Sequence, residues 1–278
     1  MSTPFADVPI LDNFYQTSSF YPMPVVMVTT ISDSGQTNIG SYSLCFPFGI
    51  AQQHCMMLIS RHDSNTSLNI QRRGVCALNF IPHDSAYLKN AVKLGYPGET
   101  TEEKLKDSIF TLAPSQREGK GDYPEIISEA IQVIECTWLS DTDVFHYKGS
   151  SGERHYLLKI ENILMKPKWL CALKKGGVFP KMPVDYGYRD SANFWFARHG
   201  KPFKIPIPKG KGISLDTVMY QVDRLPYDLE WEQDACETLC KVPRIFLKRV
   251  LDSIGERATK EGRKKITCEL LTEYRKKQ

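Results

Sequence analysis

The chain has 278 residues, 41% of them hydrophobic and 24% charged, which is typical of a folded globular protein and excludes wholesale disorder. The formal net charge of +4 is too small to indicate nucleic acid as a partner, and no apolar run approaches the roughly 18 residues of a membrane-spanning helix. The first residues lack the basic and apolar regions of a signal peptide, so we expect a cytoplasmic protein that binds neither nucleic acid nor membrane.

The first 80 residues predict β structure. A β-branched run at residues 25–30 is separated by a turn sequence at 32–36 from a second strand at 37–45, and this order predicts a hairpin. Short buried strands are predicted at residues 55–60 and 75–81.

Two short helices are predicted around the last of these strands. Asp63 or Ser64 suits the N-cap of the first helix, and Gly74 suits the position after its last turn. The second helix is predicted over residues 84–94, and Gly95 is expected to end it.

The next part of the chain predicts further β structure. Residues 99–123 are charged and contain glycine, which indicates a short helix and loops. Strands are predicted over residues 126–139 and 155–165, joined by turn sequences at 140–143 and 149–152. Strands interrupted only by short helices favour a β-barrel with helical insertions over a doubly wound parallel sheet, so the predicted fold class is mainly β.

The composition changes at residues 201–215, where prolines, lysines and glycines predict a stiff basic linker. Beyond it, Pro243 suits the first turn of a helix with an apolar residue at every fourth position and Gly262 as its stop, and Thr267 suits the N-cap of a last helix. The apolar positions are Phe246, Val250, Ile254 and Ala258. The predicted organisation is a first domain (residues 1–200), the linker (201–215) and a small all-α domain (216–278).

The eight cysteines are scattered along the chain without a Cys-x-x-Cys motif, so we predict reduced, mostly buried thiols. Cys236 and Cys240 lie one helical turn apart, but no second pair of ligands accompanies them. We therefore predict no metal site.

Sequence signatures of common enzymes are absent from the chain. It has no Gly-x-Ser-x-Gly, His-Glu-x-x-His or Gly-x-x-x-x-Gly-Lys motif, and its Gly-Lys-Gly sequences lack the third glycine of a nicotinamide-binding Rossmann unit. What remains is a set of polar residues at the ends of the predicted strands within the first 80 residues.

Those polar residues carry a resemblance to a known family. The motifs Gly35-x-x-Asn38-Ile39-Gly40-Ser41-x-Ser43 and Ser60-Arg61-x-x-x-x-Thr66-x-x-Asn69 resemble, in their order, those of flavin reductase-like proteins, a family that includes the flavoredoxins. The likeness also includes residues 24–30, 75–79, 129–136 and 152–157. The resemblance implies an FMN-binding split β-barrel with short helical insertions, followed here by the small all-α domain.

The resemblance also implies a function. It indicates a flavoprotein oxidoreductase that carries electrons or hydride through FMN, supplied by NAD(P)H or by a protein redox partner. It further implies a homodimer, and the aromatic-rich residues 186–196 are our candidate for part of the dimer interface; the alternative is that these aromatic side chains cover the flavin ring. The alternative is a non-catalytic flavin-binding or assembly module whose helical domain docks a redox partner.

The residue types suit FMN on physical grounds as well. Reduction places negative charge on the pyrimidine edge of the flavin, where hydroxyl and amide donors stabilise it. The phosphate needs a cation and oriented N–H groups, which Arg61 and the capped helix N-terminus provide. The predicted cofactor-binding residues are Thr29, Thr30, Ser41, Tyr42, Ser43, Ser60, Arg61, Ser64, Asn65, Thr66 and Asn69. The resemblance makes His155 a candidate for a role near the nicotinamide.

Each of these assignments has a structural alternative. Ser64, Asn65 and Thr66 suit a helix cap without any ligand, and Arg61 suits a solvated strand end. Ser41 and Ser43 suit the polar face of a half-exposed strand. His155 follows Arg154 where the family often has aspartate, so a purely structural histidine is the other interpretation.

Residues 231–271 are similar to the small helical domain at the C-terminus of a subunit of dark-operative protochlorophyllide reductase. The likeness rests on Trp231, the pair Val242-Pro243, Lys248-Arg249 and the sequence Ile266-Thr267-x-Glu269-x-Leu271, and it implies no pigment reduction here. The basic residues of this domain form either a docking surface for an acidic redox partner or a solvated helix face. They are Lys248, Arg249, Arg257, Lys260, Arg263, Lys264 and Lys265.

Overall fold

The computed structural model describes residues 5–50, 53–116, 123–141, 152–175, 178–189, 192–198 and 213–276, with the single positions 200, 203 and 205. The chain divides into two compact units, Met1–Phe203 and Lys204–Gln278, each with its own hydrophobic core. None of the helices in these described ranges is long and apolar enough to cross a membrane.

The first unit consists of β-strands with short helices between them. Its strands are β1 (Met23–Pro24), β2 (Val26–Ile31), β3 (Thr37–Tyr42), β4 (Cys45–Gly49), β5 (Cys55–Arg61), β6 (Val75–Phe80), β7 (Leu112–Ala113), β8 (Ile126–Ile127), β9 (Gln132–Trp138), β10 (Glu153–Met165), β11 (Pro183–Arg189) and β12 (Phe194–Arg198). Its helices are α1 (Phe14–Thr17), α2 (Asn65–Arg73), α3 (Ser85–Gly95), α4 (Thr101–Asp107) and α5 (Pro167–Lys175).

Seven of these strands form one curled antiparallel sheet in the order β3-β2-β6-β9-β10-β5-β4. Strands β2 and β6 are buried along their whole length because both faces of the sheet are covered. Successive residues alternate between the two faces, so Met27 packs in one core while Val26 and Val28 pack in the other. Strands β3 and β4 are the two edges, and the sheet is a barrel open along one seam. The predicted split β-barrel is confirmed.

Helix α2 has the ends that the sequence predicts. Ser64, rather than Asp63, is the N-cap, and its hydroxyl accepts a hydrogen bond from the Ser67 N–H at 3.1 Å. Gly74 follows the last turn with φ 70°, a conformation that favours glycine. The Ser64 cap fixes the start of α2 shortly after β5, and Gly74 ends the helix before β6.

Two predicted strands are wrong in their extent. The strand predicted over residues 37–45 is interrupted at 43–44, because the chain leaves one edge of the sheet as β3 and joins the other edge as β4. The strand predicted over residues 126–139 is broken by a turn in which the Ala130 N–H donates to the Ile127 carbonyl at 3.1 Å. The turn predicted at 149–152 lies largely outside the described residues, and the small sheet β1-β11-β12 was not predicted.

The second unit is helical apart from one short parallel strand pair. Its elements are α6 (Leu215–Val222), β13 (Glu230–Trp231), α7 (Gln233–Leu239), α8 (Arg244–Lys260), β14 (Lys265–Ile266) and α9 (Cys268–Lys276). The predicted apolar stripe of α8 is only partly correct: Ala258 is buried, but Phe246 is half exposed, and Leu247 and Leu251 are the fully buried residues of the first turns. Pro243 is the N-cap of α8 and lies outside its first turn.

All eight cysteines lie in the described ranges and are free thiols. Cys45, Cys55, Cys76 and Cys136 are buried in the sheet, and burial raises the pKa of the Cys45 thiol well above its usual range. Cys236 is buried in the core of the second unit, and the Cys240 thiol donates to its carbonyl at 3.5 Å. No group of His, Cys, Asp and Glu among the described residues is arranged to hold a metal ion.

Candidate functional site

A cleft of about 470 Å³ opens in the first unit where β3 and β5 end. A smaller pocket of about 150 Å³ adjoins it. The two cavities have Ser41, Tyr42, Arg61, Gly95, Tyr96 and Pro97 in common, so they form one continuous site. The cleft lies within the range of about 300–1,000 Å³ that is usual for small-molecule sites.

The smaller pocket lies at the N-terminus of α2. Ser64, Asn65 and Thr66 line it, and Thr66 is almost fully buried. The Asn65 side-chain amide donates to the Glu99 carbonyl at 2.9 Å, which ties the helix start to the loop after α3. The first N–H groups of a helix and its dipole favour an anion at this position.

Three hydroxyl groups connect this pocket with the cleft. The Tyr42 hydroxyl is 2.9 Å from the Ser60 hydroxyl, and the Ser60 hydroxyl is 2.8 Å from that of Ser64. Tyr42 ends β3 and Ser60 lies on β5, which are the first and sixth strands of the sheet. Side-chain hydrogen bonds therefore bridge the seam of the split barrel at the site itself.

Two cationic side chains line the smaller pocket. Arg61 is half exposed and pairs with Asp63, whose Oδ1 lies 3.1 Å from both Nε and Nη2. Lys104 of α4 is buried and its Nζ donates to the Leu94 carbonyl at 2.8 Å. Burial lowers the pKa of Lys104, an effect that Glu99 opposes and Arg61 reinforces.

Lys104 was missed by the sequence reasoning. It stands in a charged segment where alternating acidic and basic residues indicate a solvated helix, and the packing of α4 against β3 and α3 buries it. No local pattern distinguishes Lys104 from its neighbour Lys106, which remains exposed.

The cleft also contains carboxylates that the sequence analysis did not predict. Asp185 of β11 is buried and accepts hydrogen bonds from the Gly187 N–H at 3.1 Å and from the side chains of Ser43 and Gln16. Burial raises the pKa of Asp185, and these hydrogen bonds partly oppose the rise. Glu153 lines the same cleft and lies directly across the strand pair from Arg61.

Most of the predicted cofactor-binding residues line this site, and three do not. Those that line it are Ser41, Tyr42, Ser43, Ser60, Arg61, Ser64, Asn65 and Thr66. Thr29, Thr30 and Asn69 are buried beneath it instead. The Asn79 amide donates to Thr29 Oγ1 at 3.2 Å and the Asn69 amide donates to Thr30 Oγ1 at 3.1 Å, so these groups hold α2 and β6 against β2.

His155 lies outside the cleft, and the aromatic segment 186–196 contributes only some of its side chains to the cleft. His155 is exposed on β10 opposite Ile59 and is not among the residues that line the cleft. Phe194 and Phe196 line the cleft, whereas Tyr186 and Trp195 are exposed.

The pH dependence of folding is expected to report the burial of Asp185. Because its pKa is raised in the folded state, Asp185 contributes most to stability below its ordinary pKa of 3.8, and this contribution is lost as the pH rises through the folded-state value. Asp185→Asn removes the titration. We expect the urea midpoint of the variant minus that of the unchanged chain to increase as the pH rises above 3.8 and to become constant above the folded-state pKa of Asp185. A difference between the two midpoints that does not depend on pH would contradict this.

A curled antiparallel sheet with an open seam, a capped helix directly after β5 and a polar cleft at the seam define a split-barrel protein. Residues 18–151 match the family model described as the flavin reductase like domain. These residues make up most of the first unit. The resemblance of the C-terminal residues to a protochlorophyllide reductase subunit stays a prediction.

Solved structures support the fold. Nitrilotriacetate monooxygenase component B from Bacillus cereus is similar with a TM-score of 0.57 and 16% identity, over 73% of this chain and all of its own. A Pseudomonas fluorescens 2-nitrobenzoate 2-nitroreductase is similar with a TM-score of 0.55 and 19% identity, over 69% of this chain and 88% of its own. Flavoredoxin from Methanosarcina acetivorans is similar with a TM-score of 0.54 and 14% identity, over 76% of this chain and all of its own. A comparison with curated proteins found no significant match.

Proposed function

We propose that the site binds FMN and that the protein is a flavin-dependent oxidoreductase. The observation that carries this proposal is the continuity of the two cavities: a cleft of ring-binding size leads into a pocket formed by a helix N-terminus and two cationic side chains. The ring would occupy the cleft and the phosphate the smaller pocket.

The smaller pocket suits a phosphate joined to a polyhydroxyl chain. Arg61, Lys104 and the N–H groups at the start of α2 supply positive charge and donors for the phosphate. Glu99 Oε2, which also belongs to this pocket, is buried and has no hydrogen-bond partner among the described residues. A hydroxyl of the ribityl chain would satisfy that acceptor.

The cleft suits the flavin ring. Ser41, Tyr42 and Ser43 place hydroxyls and strand-end backbone groups along one side, and Phe194 and Phe196 supply apolar surface. Bound flavin would supply hydride or single-electron transfer, and these residues would orient the ring and stabilise charge on its pyrimidine edge. Asp185 would hold Ser43 in place through its hydrogen bond.

We infer that NAD(P)H reduces the bound flavin, with a protein redox partner, as for a flavoredoxin, as the second candidate. Purified protein that is yellow with a flavin spectrum would exclude a flavin-free module. Anaerobic stopped-flow mixing with NADH, NADPH and reduced ferredoxin would then identify the donor, and flavin that none of the three reduces would contradict the oxidoreductase.

We also propose that the protein is a homodimer. Edge strand β4 exposes Phe46 and Phe48, and Trp195 of β12 is half exposed, so the first unit has apolar surface for a second copy. Light scattering should give twice the mass of the chain, and a stable monomer with full flavin occupancy would contradict this assembly.

The second unit is expected to be separable from the first. Each unit has its own core, and a chain that ends at Ser214 should therefore fold and retain FMN with unchanged affinity. Fluorescence titration of FMN into the shortened and full-length chains measures this. Insolubility or loss of flavin on shortening would show that the first unit depends on the second.

A further inference from the structure

The second unit contains a cavity that the proposed flavin site does not use. It measures about 480 Å³ and is lined by residues of α7, α8 and α9 and of the α7–α8 loop. Seven of its ten lining side chains are apolar or aromatic, two are arginines, one is a serine and none is acidic. Its volume is within the range of about 300–1,000 Å³ for sites that bind small molecules.

Helix α8 presents apolar residues on two sides. Leu247 and Leu251 are fully buried in the core of the unit, as an amphipathic helix requires. Phe246 and Val250 lie on a neighbouring side and line the cavity, where Phe246 is 50% exposed. Folding of the unit leaves this second apolar stripe open, and a ligand that covers it gains hydrophobic free energy.

The charged side chains that line the cavity are Arg249 and Arg275. Lys248 pairs with Asp252 and Arg257 with Glu261, both at 3.0 Å. Arg249 and Arg275, which line the cavity, have no ion-pair partner within the described part of the chain.

We propose that this cavity binds a small apolar carboxylic acid. Its hydrocarbon part would cover Phe246 and Val250, and its carboxylate would pair with Arg249 and Arg275. A guanidinium group matches a carboxylate with two parallel hydrogen bonds, and neither arginine has to leave a protein carboxylate to do so. A cavity of this volume suits one small molecule better than the long groove that a partner helix requires.

Methyl NMR of the full-length chain tests the proposal with decanoate and 1-decanol as probes. Decanoate is expected to shift the methyl resonances of Val250, Ile254 and Leu271. Decanol has the same chain without the charge and should bind at least about tenfold more weakly. Arg249→Glu and Arg275→Glu should each weaken decanoate binding by about tenfold or more, and the double variant should abolish it.

Lys260→Glu is the matched control, because it makes the same charge change on α8 at a residue that does not line the cavity. Its affinity for decanoate should be unchanged. Arg249→Gln and Arg275→Gln provide the same test without charge reversal if a glutamate variant loses its dispersed methyl spectrum. Equal affinity for decanoate and decanol, no shift of the three methyl resonances, or equal weakening by the control would each overturn the proposal.

Discussion

Replacing Arg61 by glutamate is expected to weaken FMN binding by roughly a hundredfold or more and to leave riboflavin binding nearly unchanged. Loss of one charge-assisted hydrogen bond costs about 1.5–3 kcal/mol, and reversal of the charge adds repulsion against a phosphate dianion. Riboflavin lacks the phosphate and does not experience either effect.

The surroundings of Arg61 strengthen this expectation. In the protein as it stands, Arg61 neutralises Asp63 at the entrance of the smaller pocket. In the Arg61→Glu variant the new carboxylate would join those of Asp63 and Glu99, and Lys104 would be the remaining cationic side chain among the described lining residues. Because Arg61 is half exposed, the fold itself should tolerate the change.

The measurement is a fluorescence titration of both flavins into both proteins. Arg73→Glu is the control, since it makes the same change at the opposite end of α2, outside both cavities. It should leave both affinities nearly unchanged. If Arg61→Glu weakens riboflavin as much as FMN, Arg61 supports the fold and does not contact the phosphate.

Gly187→Ala is expected to destabilise the first unit by clearly more than the about 1–2 kcal/mol that a left-handed backbone conformation costs an alanine. Gly187 has φ 70° and donates its N–H to Asp185. An added Cβ would lie 2.3 Å from the Tyr21 carbonyl oxygen and 2.4 Å from its nitrogen, so the backbone of one segment must move. Because Asp185 lines the cleft, FMN affinity should fall as well.

Gly35→Ala separates the two causes of this loss. Gly35 also has a positive φ, of 81°, but an added Cβ would meet no atom within 4 Å. It should therefore show the backbone cost alone, measured as the change in the urea midpoint by tryptophan fluorescence. Equal decreases in the urea midpoint for the two variants would contradict this expectation, because they would mean that the backbone at Tyr21 moves away from the added Cβ at no measurable cost in stability.

Local sequence patterns predicted the parts of the site that local chemistry determines. The ends of α2 follow from capping preferences of single residues. The end at Gly74 was predicted correctly, and the structure selects Ser64 from the two N-caps, Asp63 and Ser64, that the sequence left open. Thr29, Thr30 and Asn69 have the right residue types, but the sequence does not say which side of a strand or helix faces the cleft. Their hydroxyl and amide groups are instead used to hold α2 and β6 against β2.

Long-range packing determines the rest of the site. Lys104 and Asp185 reach it from α4 and β11, and Glu99 reaches it from the loop after α3. No spacing in the sequence connects these residues with Ser41 or Ser64, because their proximity depends on how the sheet curls. The break of the predicted strand at residues 43–44 has the same origin, since only the complete sheet shows that the chain changes edges there.

The hydroxyl bridge from Tyr42 to Ser60 has a consequence for local opening of the sheet. Side chains join the first and sixth strands at the seam, and the edge strands β3 and β4 each have a backbone-bonded neighbour on one side of the sheet order only. Because fewer backbone hydrogen bonds protect them, β3 and β4 should exchange their amide hydrogens much faster than the central strands β6 and β9. A ligand that spans the seam would slow exchange in β3 and in β5 together, although four strands separate them within the sheet. Occupancy of the cleft would thus be recorded as protection on both sides of the gap.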